Sequence, residues 1–218
     1  MTVTNIWVTP ALHIHAKMDQ RRHLYNYYLE HLMHEPPKRR LGTPFSQKEA
    51  EDHLRLQRML LEFSRLFEYD EPNDRAIAVV GPAFLDTLIT QVLTNFLVED
   101  AKEVEKLLQP EGHLGTFGAR VSICYCLGLI GKTVTDDLRT VAKIRNRFAH
   151  DLLANFSDPK ISSWCNSLRW HRVSMMCEPP SDATARDLFQ VGVNQLVCHL
   201  NALPGLALFH KRQISRDG

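Results

Sequence analysis

The sequence predicts an all-α fold, a helical bundle preceded by a basic helical extension. Apolar residues recur at helical spacing along most of the chain, and capping residues stand where these stretches begin and end. Alternation of β-branched residues, the mark of strands, is nowhere sustained. The chain has 218 residues, of which 44% are hydrophobic and 23% charged. This is the composition of an ordinary globular protein that buries a core of its own.

The first part of the chain differs in character from the rest. Residues 1–44 hold five of the eleven histidines and an excess of basic side chains. Residues 19–34 have helical spacing, Pro36-Pro37 ends that helix, and residues 38–44 form a linker. We therefore expect a basic, histidine-rich extension over residues 1–44 and an α-helical domain over residues 45–218.

The domain is predicted to open with a capping box, since Glu49 follows Ser46 by three residues. The apolar face of this first helix is expected to contain Leu54, Met59, Leu61, Phe63, Leu66 and Phe67. Five further segments are predicted to be helical: residues 75–98, 101–108, 116–131, 133–150 and about 181–203. A short helix is expected around residues 162–168. Pro82 should kink or divide its helix, and Gly131 and Pro204-Gly205 should end theirs.

Charge and cysteine content limit the function classes. The 26 basic residues nearly balance the 25 acidic ones, which argues against a protein that holds long duplex DNA by bulk electrostatics. The cysteines are odd in number and form no C-x-x-C pair, as is typical of a reduced protein of the cytoplasm; they are Cys124, Cys126, Cys165, Cys177 and Cys198. No signal peptide is expected, because residues 1–16 have no basic region followed by a long apolar one. No membrane span is expected either, because Gly81-Pro82 and Asp86 interrupt the best apolar stretch.

The segment from Lys143 to His150 has the residues for phosphate chemistry. Asn146 and His150 are four apart and share a helix face, whereas Arg145 lies about 140° away from His150 around the axis. Histidine moves protons near neutral pH, and arginine stabilises the charge on a phosphate. This set suits cleavage of RNA without a metal, where the 2′-hydroxyl is the nucleophile. A two-fold dimer would supply the second acid–base group.

Other basic residues are candidates for binding nucleic acid. Arg120 follows a glycine-rich loop at a helix start, where phosphates bind readily, although tight packing on Phe117 is the commoner outcome. The remaining candidates are Lys143, Arg147, Arg21, Arg22, Lys38, Arg39 and Arg40. The pairs His13/His15 and His31/His34 lack the ligands that would complete a metal site, so we expect no metal and no cofactor. Trp164, Trp170 and His171 would either stack bases or fill a small core.

The pattern Arg145-Asn146-x-x-x-His150 resembles the R-x4–6-H motif of the HEPN superfamily. That resemblance implies a small α-helical domain that dimerises around the motif and cleaves RNA without a metal, as toxins and phage-defence effectors of this superfamily do. Arg145 would then stabilise the phosphate, His150 would act in acid–base catalysis, and Asn146 would position them. A regulatory or antitoxin protein would be a partner.

A second resemblance covers residues 72–156. Residues 74–86, Leu114-Gly-Thr-Phe-Gly-Ala-Arg120, residues 127–130 and residues 138–152 are similar to the mannitol-operon repressor family. That family is all-α and lacks a recognisable helix-turn-helix. It implies a regulator without catalytic activity that acts through protein partners, or through DNA held by the basic extension.

Three interpretations therefore stay open: a ribonuclease, a repressor, and a HEPN scaffold that only assembles a complex. A structural role is the alternative for the basic residues themselves. An arginine in this segment would pair with Asp136, Asp137 or Asp151, and His150 would interact favourably with the carboxyl end of its helix.

Overall fold

A computed structural model describes residues 46–67, 73–174, 179 and 181–215, and over these ranges its regular secondary structure is helical, without a strand. The predicted all-α class is confirmed. The helices are α1 (Gln47–Leu66), α2 (Asp74–Phe96), α3 (Ala101–Leu108), α4 (Phe117–Cys126), α5 (Lys132–His150), α6 (Pro159–Asn166), α7 (Trp170–Val173) and α8 (Ala185–Phe209).

The chain divides into two compact units within α1. Of the described residues, 46–57 belong to the first unit, and those from Arg58 onward belong to the second. The predicted extension over residues 1–44 lies outside the described residues. Its separation from a domain at residues 45–218 therefore stays a prediction.

The start of α1 confirms the predicted capping box. The Ser46 backbone N–H donates to Oε2 of Glu49 at 2.9 Å, and the Glu49 N–H donates to Oγ of Ser46 at 3.3 Å. The predicted apolar face is partly wrong, because Leu54 and Leu66 are exposed. Phe63 and Phe67 are buried as expected, and the Phe63 ring stacks on Phe84 of α2 with 4.7 Å between ring centroids.

Helices α2 and α8 form the core of the second unit. The Asn73 side chain caps α2 by accepting the N–H groups of Arg75 and Ala76, and the helix continues undivided through Pro82. Gly81 lets α8 approach closely, since a Cβ there would lie 2.8 Å from Cγ1 of Val193. By length and composition alone either helix could cross a membrane, but more than half of each apolar stretch is buried inside the fold. This is typical of core helices in compact domains.

Several helices differ from the prediction: α6 begins at Pro159 instead of about residue 162, α8 begins at Ala185 instead of about residue 181, and α7 was not predicted. Two helix ends differ by more. Helix α4 ends at Cys126 instead of near Gly131, because Gly128 has a φ of +73° and the Leu129 N–H donates back to the Cys124 carbonyl. This is the hydrogen bond of a glycine C-cap, and Gly131 is instead the N-cap residue that precedes α5. Helix α8 continues past Pro204 to Phe209, and its last turns bury Ala207 and Leu208.

Helix α5 presents one side to this core. Val141, Ile144 and Phe148 are fully buried, as predicted. The Phe148 ring lies 5.0 Å from the ring of Phe156, which lies 5.3 Å from Phe189 of α8. This packing fixes the rotation of α5, so the polar residues of its last three turns face outward.

Candidate binding surface at the end of helix α5

The predicted phosphate-handling residues lie at the exposed end of α5. Asn146 and His150 are exposed, whereas Arg145 is half-buried. Within the described part of the chain, no hydrogen bond or ion pair involves the side chains of these three residues. The structure thus leaves them available for a ligand, and their catalytic roles stay predictions.

Arg147 has the structural partner that an arginine of this segment was expected to find. Its Nη2 lies 2.9 Å from Oδ2 of Asp151 and 3.7 Å from Oδ2 of Asp158. Asp158 also caps α6. Hydrogen bonds from the backbone N–H groups of Lys160 and Ile161 lower the pKa of that carboxyl, and Arg147 adds a smaller contribution. Arg147 therefore ties the end of α5 to the start of α6, and Lys143, four residues earlier, has no such carboxylate among the described residues.

Hydrogen bonds to α2 hold the turn that follows α5 at both of its ends. Nη2 of Arg75 donates to the Asp151 carbonyl at 2.9 Å, and the Phe156 N–H donates to Oδ2 of Asp74 at 3.3 Å. Between these anchors Leu152 and Leu153 are 88% and 86% exposed. The helical spacing and the motifs of the sequence do not indicate either leucine. The signal that could have found them is Asp151 directly after the helix, whose Oδ1 accepts the Leu153 N–H and closes the turn.

Arg120 has a different environment from the one its sequence context indicated. Its Nε and Nη2 each donate to a carboxylate oxygen of Asp86 at 2.9 Å. Its Nη1 donates to the carbonyls of Leu114 at 2.8 Å and Leu108 at 3.4 Å. The side chain is buried, so the guanidinium joins α4 to α2 and to the loop before α4. These contacts use its donors for structure rather than for a phosphate.

A second carboxylate serves as a structural acceptor inside the fold. Asp137 of α5 is buried, and its Oδ2 accepts the backbone N–H groups of Trp170 at 2.7 Å and Arg169 at 2.9 Å. Burial raises the pKa of this carboxyl, and the two N–H donors act in the opposite direction. Asp137 thereby supplies the start of α7 with the acceptor that its own sequence lacks.

Of the predicted tryptophan and histidine cluster, His171 belongs to the interior, whereas Trp164 and Trp170 are half-buried. His171 is fully buried, and neither its Nδ1 nor its Nε2 has a hydrogen-bond partner in the described structure. The Trp170 ring lies 4.5 Å from that of His199 on α8. Burial, with a smaller effect of Arg172, lowers the pKa of His171, and burial lowers that of His199.

This buried imidazole predicts a loss of stability in mild acid. Below the ordinary histidine pKa of 6.5 the unfolded chain binds a proton that the folded His171 resists, so the free energy of unfolding should fall as the pH drops through that value. Replacing His171 with leucine should reduce this dependence to the part that His199 contributes, measured by urea denaturation at about pH 7.5 and about pH 5.5. His113→Leu is the matched control, since His113 is exposed. If the free energy of unfolding of His171→Leu depended on pH as steeply as that of the wild type, His171 would not be the source of the acid sensitivity.

Two cysteines are also part of the interior. Burial raises the pKa of both the Cys124 and Cys165 thiols to about 12. They are therefore inert thiols at neutral pH. The packing role expected for both Cys124 and Cys126 is confirmed for Cys124 and wrong for Cys126, which is exposed.

Several predicted sites lie outside the described residues. These are the nucleic-acid candidates Arg21, Arg22, Lys38, Arg39 and Arg40 and the histidine pairs His13/His15 and His31/His34. In the residues that the structure does describe, no group of three or more His, Cys, Asp or Glu side chains could hold a metal ion.

Comparison with known proteins places the chain in a family. Residues 76–198, more than half of the chain, match the family described as the mannitol repressor. This range extends the resemblance inferred over residues 72–156 through most of α8. None of the curated proteins compared with the chain matches it.

A solved structure is also similar to this chain. It is the X-ray structure of the MtlR–HPr complex from Escherichia coli, with 22% sequence identity and a TM-score of 0.46. The similarity covers 69% of this chain and 98% of that one. Because the family pattern matches over more than half of its length, the chain belongs to the mannitol repressor family.

Proposed function

We propose that this chain is a transcriptional regulator of the mannitol-repressor type that works in the cytoplasm without catalysing a reaction. The observation that carries the proposal is the family match over residues 76–198, which contains helices α3 to α7 and most of α2 and α8. It also contains the exposed end of α5, where a regulator could meet its target.

A protein partner suits this surface better than direct DNA binding. The formal net charge is +1, which gives little long-range attraction to a duplex. Leu152 and Leu153 are exposed on a turn that hydrogen bonds fix, and apolar contacts of this kind belong to protein interfaces. DNA binding by the basic extension over residues 1–44 is the alternative route to repression.

Deleting the gene in its native host tests the proposal. Transcripts of a sugar or sugar-alcohol uptake operon should rise several-fold and return to their former level when the wild-type gene is supplied. Unchanged transcripts in the deletion strain would refute the regulator.

A metal-independent endoribonuclease is the second candidate. It is favoured by Arg145, Asn146 and His150 at the end of α5, whose side chains have no hydrogen bond or ion pair among the described residues. In this proposal two copies would meet at α5, so that each supplies one acid–base histidine. Purified protein would be incubated with mixed RNA in EDTA, beside His150→Ala and Arg145→Ala. Cleavage that survives EDTA and disappears in both variants would establish the enzyme; cleavage that persists in both would exclude this site.

A further inference from the structure

The turn after α5 exposes apolar surface at a fixed position. The anchors from Arg75 and to Asp74 lie on either side of Leu152 and Leu153, and the Phe156 ring is buried between Phe148 and Phe189. A turn anchored in this way cannot fold the two leucines inward without breaking those contacts. Leaving them in water forgoes the free energy of burial, so a partner that covers them gains it.

A basic stripe on α5 leads directly to this turn. Arg139, Lys143, Arg147 and His150 recur at intervals of three or four residues, share one helix face, and are all exposed. Asp151 and Asp158 neutralise Arg147 in part, and Arg139 donates to the Ser122 hydroxyl. Lys143 has no carboxylate partner among the described residues. The surface beside the leucines therefore carries a net positive charge.

We propose that the leucine turn and the basic stripe together form one docking surface for an acidic protein segment. Apolar side chains of the segment would cover Leu152 and Leu153, and its carboxylates would lie along the stripe at Lys143 and Arg147. This inference rests on the proposed regulator and adds the chemistry of its partner. Charge complementarity selects an acidic partner and gives fast, salt-sensitive association.

The same charges argue against two other occupants. In a two-fold dimer of this chain through the same surface, the stripe of one copy would face the stripe of the other, and like charges would oppose contact. RNA would satisfy the stripe through its phosphates, but its bases stack on aromatic rings and arginine planes, and two leucines offer neither. An acidic protein segment satisfies both halves of the surface.

Fluorescence anisotropy with the full chain tests the proposal. The probe is a labelled amphipathic peptide with leucines on one helical face and glutamates on the other. A second peptide has lysines in place of the glutamates, and a labelled single-stranded poly-uridine RNA is the third probe. The acidic peptide should bind, and its affinity should fall as salt is raised, whereas the lysine peptide should not bind.

Two variants test the leucine turn and the basic stripe separately. Leu152→Ser/Leu153→Ser should weaken binding of the acidic peptide about tenfold or more. Lys143→Glu should weaken the acidic peptide and strengthen the lysine peptide. Leu206→Ser is the matched control, since Leu206 is an exposed leucine on α8, and it should bind like the wild type. All substituted residues are exposed, and circular dichroism verifies that each variant is folded.

Several results would overturn the docking surface. The first is that the acidic peptide does not bind, and the second is that the double leucine variant binds it as tightly as the wild type does. The third is that RNA displaces the peptide and binds the leucine variant as tightly as the wild type. A dimer in sedimentation that the leucine variant abolishes would assign the surface to a second copy instead. Full repression by the leucine variant in the deletion strain, with peptide binding lost, would reject the surface and keep the regulator. If the peptide bound as expected but transcripts were unchanged in the deletion strain, the docking surface would be supported and the regulator rejected.

Discussion

Replacing Asp86 with alanine is expected to lower the free energy of unfolding by about 3–5 kcal/mol. The variant would leave the Arg120 guanidinium buried with no countercharge, since only 9% of that side chain is exposed and its Nε and Nη2 both donate to Asp86. The carbonyls of Leu108 and Leu114 would still accept from Nη1, but they carry no full charge to balance the cation. The loss is the cost of an unpaired buried charge more than the value of the pair.

Urea denaturation measures this loss of stability, and Glu62→Ala shows for comparison what breaking an exposed ion pair costs. Glu62 pairs with Arg65 at 3.1 Å on α1, where both side chains are exposed, so breaking that pair should cost about 0–1 kcal/mol. Asp86→Ala with Arg120→Met should lose less than Asp86→Ala alone, because the second change removes the stranded charge. A loss in Asp86→Ala no larger than in Glu62→Ala would show that the pair is not buried in solution.

Much of the fold could be predicted because helix signals are local. The bounds of residues 101–108 were predicted correctly, and the Asp100 side chain caps this helix by accepting the Glu103 N–H. The outward face of α5 followed from the spacing of Val141, Ile144 and Phe148. The end of α8 could not be predicted this way. Proline removes one helical hydrogen bond, but burial of Ala207 and Leu208 beyond it favours continuing the helix.

The candidate site was only partly predictable, because local spacing does not show contacts between distant segments of the chain. Arg145, Asn146 and His150 are separated by less than two turns of one helix, so their common location could be read from spacing. The partner of Arg120 is Asp86, which is 34 residues away, and no local pattern relates the two. The exposure of Leu152 likewise depends on Arg75 reaching the Asp151 carbonyl from another helix. Contacts between distant segments decide which basic residues are structural and which are available to a ligand.

Replacing Asp137 with alanine should lower the free energy of unfolding by about 3 kcal/mol and loosen α7 in particular. Asp137 accepts the Arg169 and Trp170 N–H groups at 2.9 and 2.7 Å, and α7 is too short to satisfy these donors itself. Without the carboxylate the two N–H groups lose their acceptor. The substitution also removes a charge whose burial is itself costly, which keeps the expected loss below that for Asp86.

Hydrogen exchange distinguishes this local effect from general destabilisation. The Arg169 and Trp170 amides should exchange far faster in Asp137→Ala, whereas amides in the centre of α2 should change only as much as global stability does. Asp136→Ala is the neighbouring control, because Asp136 is outside the core and lies 3.6 Å from Arg169 through side-chain atoms alone. If Asp136→Ala released the Arg169 and Trp170 amides as much as Asp137→Ala, side-chain charge would hold α7 in place. Release in Asp137→Ala alone would establish that a buried carboxylate on α5 holds α7 through its backbone.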